Sequence, residues 1–105
     1  MAKVYRDYIK SKQWALRKSN YYGRHDKICR ACSTKAHIHL HHKTYARLGF
    51  ERDADLVPLC RSCHYLVHNI NKSSKYSLWF DTEQFIRDKK GVKWKKKKRR
   101  RSKRK

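Results

Sequence analysis

Residues 29–68, CRACSTKAHIHLHHKTYARLGFERDADLVPLCRSCHYLVH, decide how this chain reads. Two Cys-x-x-Cys pairs, Cys29 with Cys32 and Cys60 with Cys63, bracket a histidine-rich run that ends in the adjacent pair His41 and His42. His64 and His68 follow the second pair at helical spacing. Four thiolates in two close pairs suit one tetrahedral Zn²⁺, which takes sulfur at about 2.3 Å and closes the long loop between the pairs. The other reading is two disulfides, which need an oxidising compartment. Met1–Lys12 carries charges where a secretory signal needs an apolar core, so structural zinc is the expectation.

Four thiolates satisfy one zinc and leave the histidines over. Ala36–His42 alternates as a strand does, with Ile38 and Leu40 on one side and His37, His39 and His41 on the other. His41 and His42 then point to opposite faces, so one can take a metal while the other faces a substrate. Cys60–Asn69 holds Leu66 and Val67 among polar residues and has no breaker, which predicts a helix with His64 and His68 one turn apart on one face. His41, His64 and His68 together make a three-nitrogen site with positions open for water and phosphate. That is a catalytic type of metal site, distinct from the closed four-sulfur one. His37 and His39 read as solvent-facing strand residues or phosphate contacts, and His25 as a surface residue.

The run L-H-H-K-T-Y-A-R-L-G-F-E, followed by D-L-V-P-L-C-R-S-C-H-Y-L-V-H, resembles the HNH endonucleases, the zinc-knuckle branch of the ββα-metal nucleases. The resemblance covers about Tyr5 to His68. It implies an α+β fold, a small zinc-stapled ββα-metal domain with an N-terminal helix. It also implies metal-dependent hydrolysis of DNA phosphodiester bonds, with double-stranded DNA as the partner. By this resemblance His41 is a metal ligand at the end of the first strand, His42 the general base, His64 the final motif histidine and His68 a further ligand one turn later. Asp55 stands where the motif has Asn. In the family that carboxamide, with donors and acceptors, tethers the loop and holds the base histidine, whereas an ionised Asp only accepts and is left to orient a neighbouring backbone N–H or a histidine, so this is the departure that matters. The implied cofactors are structural Zn²⁺ and one catalytic divalent ion, Mg²⁺, Mn²⁺, Ni²⁺ or Zn²⁺, with nitrogen ligands favouring the later metals. Small proteins of this kind are common in bacteriophages and mobile elements, which implies a bacterial or phage-infected cytoplasm and a place in such machinery; a nuclear location is the eukaryotic alternative.

The 105 residues carry 30 Lys and Arg against 8 Asp and Glu, a formal net charge of +22, so a polyanionic partner is expected on charge alone. A chain this short usually needs a staple, which zinc supplies. No apolar run approaches the roughly 20 residues that span a bilayer, so no membrane partner is expected. The organisation reads as a nuclease domain over 1–70, a linker with a short helix over 71–91, and a Lys/Arg-rich tail over 92–105. In the first part Val4, Tyr5, Tyr8 and Ile9 fit a short helix or arm. Ser11 caps a helix through about Tyr22 that Gly23 stops, with Trp14 and Tyr21 on its core face. Residues 43–55 read as a loop with about one helical turn, anchored by Leu48 and Phe50. Lys43, Arg47 and Arg52 are candidate phosphate contacts there. Leu56–Leu59 forms a second strand pairing with Ile38–Leu40. After the linker, Asp81 or Thr82 caps a helix through about Lys90, and Trp79 and Phe80 pack back on the domain. The tail holds eleven Lys or Arg and no acid, and reads as a disordered, salt-sensitive phosphate binder through Lys95, Lys96, Lys97, Lys98, Arg99, Arg100 and Arg101. The competing function is a non-catalytic, zinc-stapled nucleic-acid-binding protein of a ribonucleoprotein such as the ribosome.

Overall fold

The computed structural model describes residues 2–89. Helices α1 (Ala2–Ile9) and α2 (Lys12–Tyr22) lead into a long knuckle segment, then strand β1 (Ile38–His42), a loop ending in a 3₁₀ turn (Asp53–Asp55), strand β2 (Leu56–Cys60), helix α3 (Arg61–Lys72) and helix α4 (residues 78–89). Among the described residues the result is an α+β arrangement of four helices and a two-stranded antiparallel sheet.

Local chemistry explains most of these boundaries. The Ser11 side chain accepts the Trp14 amide at 3.2 Å and starts α2. Gly23 ends the helix with φ of −72°, so it is not needed there for a left-handed turn. In β2, Pro58 cannot donate to a ladder, which costs little on the outer edge of a two-stranded sheet. Its carbonyl accepts from Arg30 N–H at 3.0 Å and ties the first knuckle to the strand. The register sets Leu40 against Pro58, His41 against Val57 and His42 against Leu56.

A two-stranded sheet is marginal alone, and here both faces are covered. On one face Val57, Leu59, Cys60, Cys63 and Val67 form a core with Cys29 and Ala31, and Leu78, Phe85 and Ile86 of the α4 region pack against it. On the other face Trp14 and Tyr21 of α2 pack with Leu40 and Leu56. All five residues of β2 are therefore buried, which is why its sequence shows a continuous apolar run rather than alternation.

Four expectations are corrected. Phe50 does not anchor the loop, being 83 % exposed. Gly49 takes φ of +91° and the Phe50 amide closes a turn onto Arg47 O at 2.7 Å, which swings the ring outward. The last helix begins before Asp81: it starts at residue 78, and Ser77 Oγ accepts the Phe80 amide at 3.1 Å. Asp81 and Thr82 are buried in its first turns instead, while Phe80 stays exposed beside Tyr76. The span read as linker is shorter too, because α3 continues to Lys72.

Candidate metal centres

The four cysteines converge from two turns. Cys29 and Cys32 lie on a tight loop in which Cys29 N–H donates to Thr34 O at 2.9 Å and Ser33 takes φ of +69°. Cys60 ends β2 and caps α3, its sulfur accepting the Cys63 amide at 3.5 Å, as Cys29 Sγ accepts that of Cys32 at 3.4 Å. All four sulfurs lie within 4.8 Å of one another and none is in a disulfide. Two sulfurs about 2.3 Å from a tetrahedral ion stand about 3.7 Å apart. Cys32 and Cys60 Sγ are separated by 3.7 Å, so the donor set fits a zinc-like ion. Burial pushes the Cys29 thiol up, but backbone N–H groups at Cys60, Cys32 and Ala31 outweigh it and bring it down to about 7, the direction a thiolate ligand needs.

A second group gathers between β1 and α3. Ligand nitrogens of His41, His64 and His68 lie within 4.8 Å of one another. The Nε2 atoms of His64 and His68 are 3.2 Å apart, close to the roughly 3.3 Å separating two nitrogens on one tetrahedral ion. Burial, with the neighbouring imidazoles second, drives His41 down to about 2 and His64 to about 4. Burial and then Lys72 lower His68. All three rings are neutral at pH 7 and so have a lone pair to offer. Two further contacts engage ring nitrogens of the group: His64 Nδ1 lies 3.1 Å from His39 Nδ1, and His41 Nε2 lies 2.9 Å from Thr82 Oγ1 on α4. His39, expected to face solvent, is exposed and also touches a candidate ligand.

His42 faces the other way, as strand alternation requires. Its ring stacks on Trp14 at 4.5 Å between centroids, with Tyr5 and Tyr45 each at 5.7 Å. Nε2 lies 2.7 Å from Glu51 Oε2, and the Tyr8 hydroxyl donates to Glu51 Oε1 at 2.9 Å. Burial alone would raise the Glu51 carboxyl, but the bonds from His42, from backbone N–H groups and from Tyr8 lower it on balance. Burial pushes His42 down more than Glu51 pulls it up. The pair is therefore a carboxylate beside a neutral imidazole whose Nε2–H it accepts, leaving the lone pair on Nδ1. That atom is buried and has no hydrogen-bond partner among the described residues.

Asp55 takes one part of the role expected at its position, tethering the loop and orienting a backbone N–H, and not the other, since it does not hold the histidine. Its fully buried carboxylate accepts from Arg47 Nε at 2.7 Å, from Arg47 Nη2 at 2.6 Å and from the Arg52 amide at 3.0 Å; no hydrogen bond joins it to His42 among the described residues. Arg47, the largest influence, holds it far below the usual carboxylate range. The 3₁₀ turn folds the Asp55 side chain back over its own loop, and its carbonyl takes the Lys43 amide at 2.8 Å. Asp55 tethers the loop; Glu51 orients the histidine. Sequence reasoning misses Glu51, whose only signal there is being the single acid in the basic run Lys43–Arg52.

The expected phosphate contacts are also otherwise engaged. Lys43 is buried, its ammonium 2.5 Å from Glu83 Oε2 and 4.3 Å above the Trp79 ring. Arg47 and Arg52 are both ion-paired with Asp55, at 2.6 and 3.5 Å. The basic run Lys95–Arg101 lies outside the described residues. Compared with protein-family models, curated proteins and solved structures, the chain finds no match, so the site stands on the chemistry of its own residues.

Proposed function

We propose that this chain is a metal-dependent endonuclease of HNH type that hydrolyses phosphodiester bonds in DNA. The observation that carries the reading is the meeting of His41, His64 and His68 beside a four-cysteine knuckle, with His42 on the next strand residue and its Nδ1 lone pair uncommitted. Binding alone would not require that constellation. A divalent ion in the three-histidine group would supply positive charge at the scissile phosphate and at the leaving 3′ oxygen. On the protein's side, neutral His42 takes the proton of the attacking water at Nδ1. Glu51 keeps the Nε2 proton in place and stabilises the imidazolium that forms. Tyr5 and Tyr45, edge to face at 5.0 Å, lie over His42, so the step requires water to pass them. The net charge of +22 draws the polyanion in.

The test is plasmid nicking by full-length protein, with chelator and then with Mg²⁺, Mn²⁺, Ni²⁺ or Zn²⁺, comparing wild type, His42→Ala and His41→Ala. Nicking by wild type under one of these metals, with both variants binding DNA but not cutting, supports the reading. Binding without cutting by all three proteins, on several DNA and RNA substrates, sinks it. The second reading, a non-catalytic zinc-stapled binder in a ribonucleoprotein, is favoured by one observation: His42 is only 2 % exposed.

A further inference from the structure

Three consecutive residues in the first turns of α4 each reach a different part of the three-histidine group's surroundings. Asp81 accepts from Asn71 Nδ2 of α3 at 2.8 Å, Thr82 Oγ1 stands 2.9 Å from His41 Nε2, and Glu83 pairs with Lys43 just past the end of β1. Thr82 is completely buried, and a buried hydroxyl needs a partner. His41 is that partner.

A threonine hydroxyl both donates and accepts, so the 2.9 Å separation fits two tautomers of His41. The other ring nitrogen decides between them. His41 Nδ1 is buried and has no hydrogen-bond partner among the described residues. With the proton on Nδ1, an N–H would be buried with nothing to receive it, the costlier kind of orphan. With the proton on Nε2, Thr82 receives it and Nδ1 carries only a lone pair, which suits a ligand awaiting an ion.

We propose that Thr82 is a positioning residue of the three-histidine centre. Its hydroxyl accepts the Nε2 proton of His41 and so assigns Nδ1 as the nitrogen offered to a divalent ion, which makes α4 a part of the centre. This rests on reading His41, His64 and His68 as a divalent-ion site, and it adds to that site an element beyond the strands and helix that carry the histidines. A hydrogen bond on the far nitrogen of a ligating histidine fixes its tautomer and ring orientation, and its loss typically weakens metal binding by about 10–100-fold.

The experiment uses full-length protein carrying its knuckle metal. Long-range ¹H–¹⁵N spectra report the His41 tautomer without an ion in the histidine group, and calorimetric titration with Ni²⁺ reports its affinity, with His41→Ala identifying the site. The expected result is an Nε2–H tautomer in wild type and Ni²⁺ binding weakened about 10–100-fold in Thr82→Val, which keeps the volume and removes the hydroxyl. Thr82→Ser, which keeps the hydroxyl, should bind like wild type. An Nδ1–H tautomer in wild type, or equal Ni²⁺ affinity in Thr82→Val, overturns the proposal. Should Thr82→Val fail to fold, the wild-type tautomer and Thr82→Ser still decide. A wild type that takes up no Ni²⁺ beyond its knuckle metal overturns the divalent-centre reading itself. That failure is told apart because the tautomer is read without the ion.

Discussion

Burial and hydrogen bonding at individual side chains set what this site can do. Glu51 serves His42 and Tyr8 at once, and the Glu51 and His42 side chains are each 1 % exposed. Removing the carboxylate by Glu51→Ala strands the buried His42 donor and the half-buried Tyr8 hydroxyl, which costs about 1–3 kcal/mol. Urea unfolding should register that loss, and an unchanged midpoint would mean the pair contributes nothing. On the proposed endonuclease reading, Glu51→Gln, near in shape, should lower nicking more than DNA binding, since its effect passes through the orientation of His42. The three clustered histidines make a second prediction. Their folded pKa values are depressed, to about 2 for His41 and about 4 for His64, mainly by burial. The unfolded chain therefore takes up protons first as pH drops below about 6.5. With no ion in the group, stability should be full above that value and decline as pH falls toward about 4. Urea midpoints at pH 7 and pH 5 measure it. His64→Gln, lacking one titrating ring, should show a shallower decline, which separates the effect from acid release of the knuckle metal.

Short segments carry the site through backbone geometry. Gly49 adopts φ of +91°, and a Cβ there would meet Gln13 Nε2 at 3.3 Å, the atom that donates to Gly49 O at 3.0 Å. Gly49→Ala should therefore cost about 1 kcal/mol or more, and it would disturb the turn that presents Glu51 two residues later. Phe50→Ser, at the neighbouring position, should leave the thermal midpoint unchanged, because the ring contributes little burial. A drop equal to that of Gly49→Ala would show that the ring is buried in solution. Strand alternation explains why His41 and His42 serve different faces, a separation legible in the residue pattern of Ala36–His42 itself. Capping explains α2 and α3, whose starts at Ser11 and Cys60 follow from side chains that accept amides three residues on. The α4 boundary was not legible in the same way. Ser77, Asp81 and Thr82 all have cap chemistry, and only packing of Leu78, Phe85 and Ile86 on the core selects the earliest.

Across the whole molecule, the two small cores on either face of a two-stranded sheet leave the knuckle as the main staple between residues 29 and 63. Cys60→Ser isolates that contribution, since serine still caps α3 but replaces a soft zinc ligand with a poor one. If the four cysteines hold a zinc-like ion, the variant should lose that ion and cooperative unfolding together, and a sharp transition without bound metal would show that the cores suffice. The sequence by itself determined the four-cysteine group, the strand and helix that bring His41, His64 and His68 together, and the opposed faces of the two adjacent histidines. All of these follow from spacing over a few residues, because two Cys-x-x-Cys turns, a period of two and a period of 3.6 dictate local direction. Only the tertiary structure decided that Glu51 rather than Asp55 holds His42, that Lys43 pairs with Glu83 while Arg47 and Arg52 share the single charge of Asp55, and that α4 brings Thr82 to His41. The physical reason is that a loop's charged side chains choose partners by burial and reach. Carboxylates four residues apart in one sequence, Glu51 and Asp55, are separated by a 3₁₀ turn that sends each to a different cation or ring.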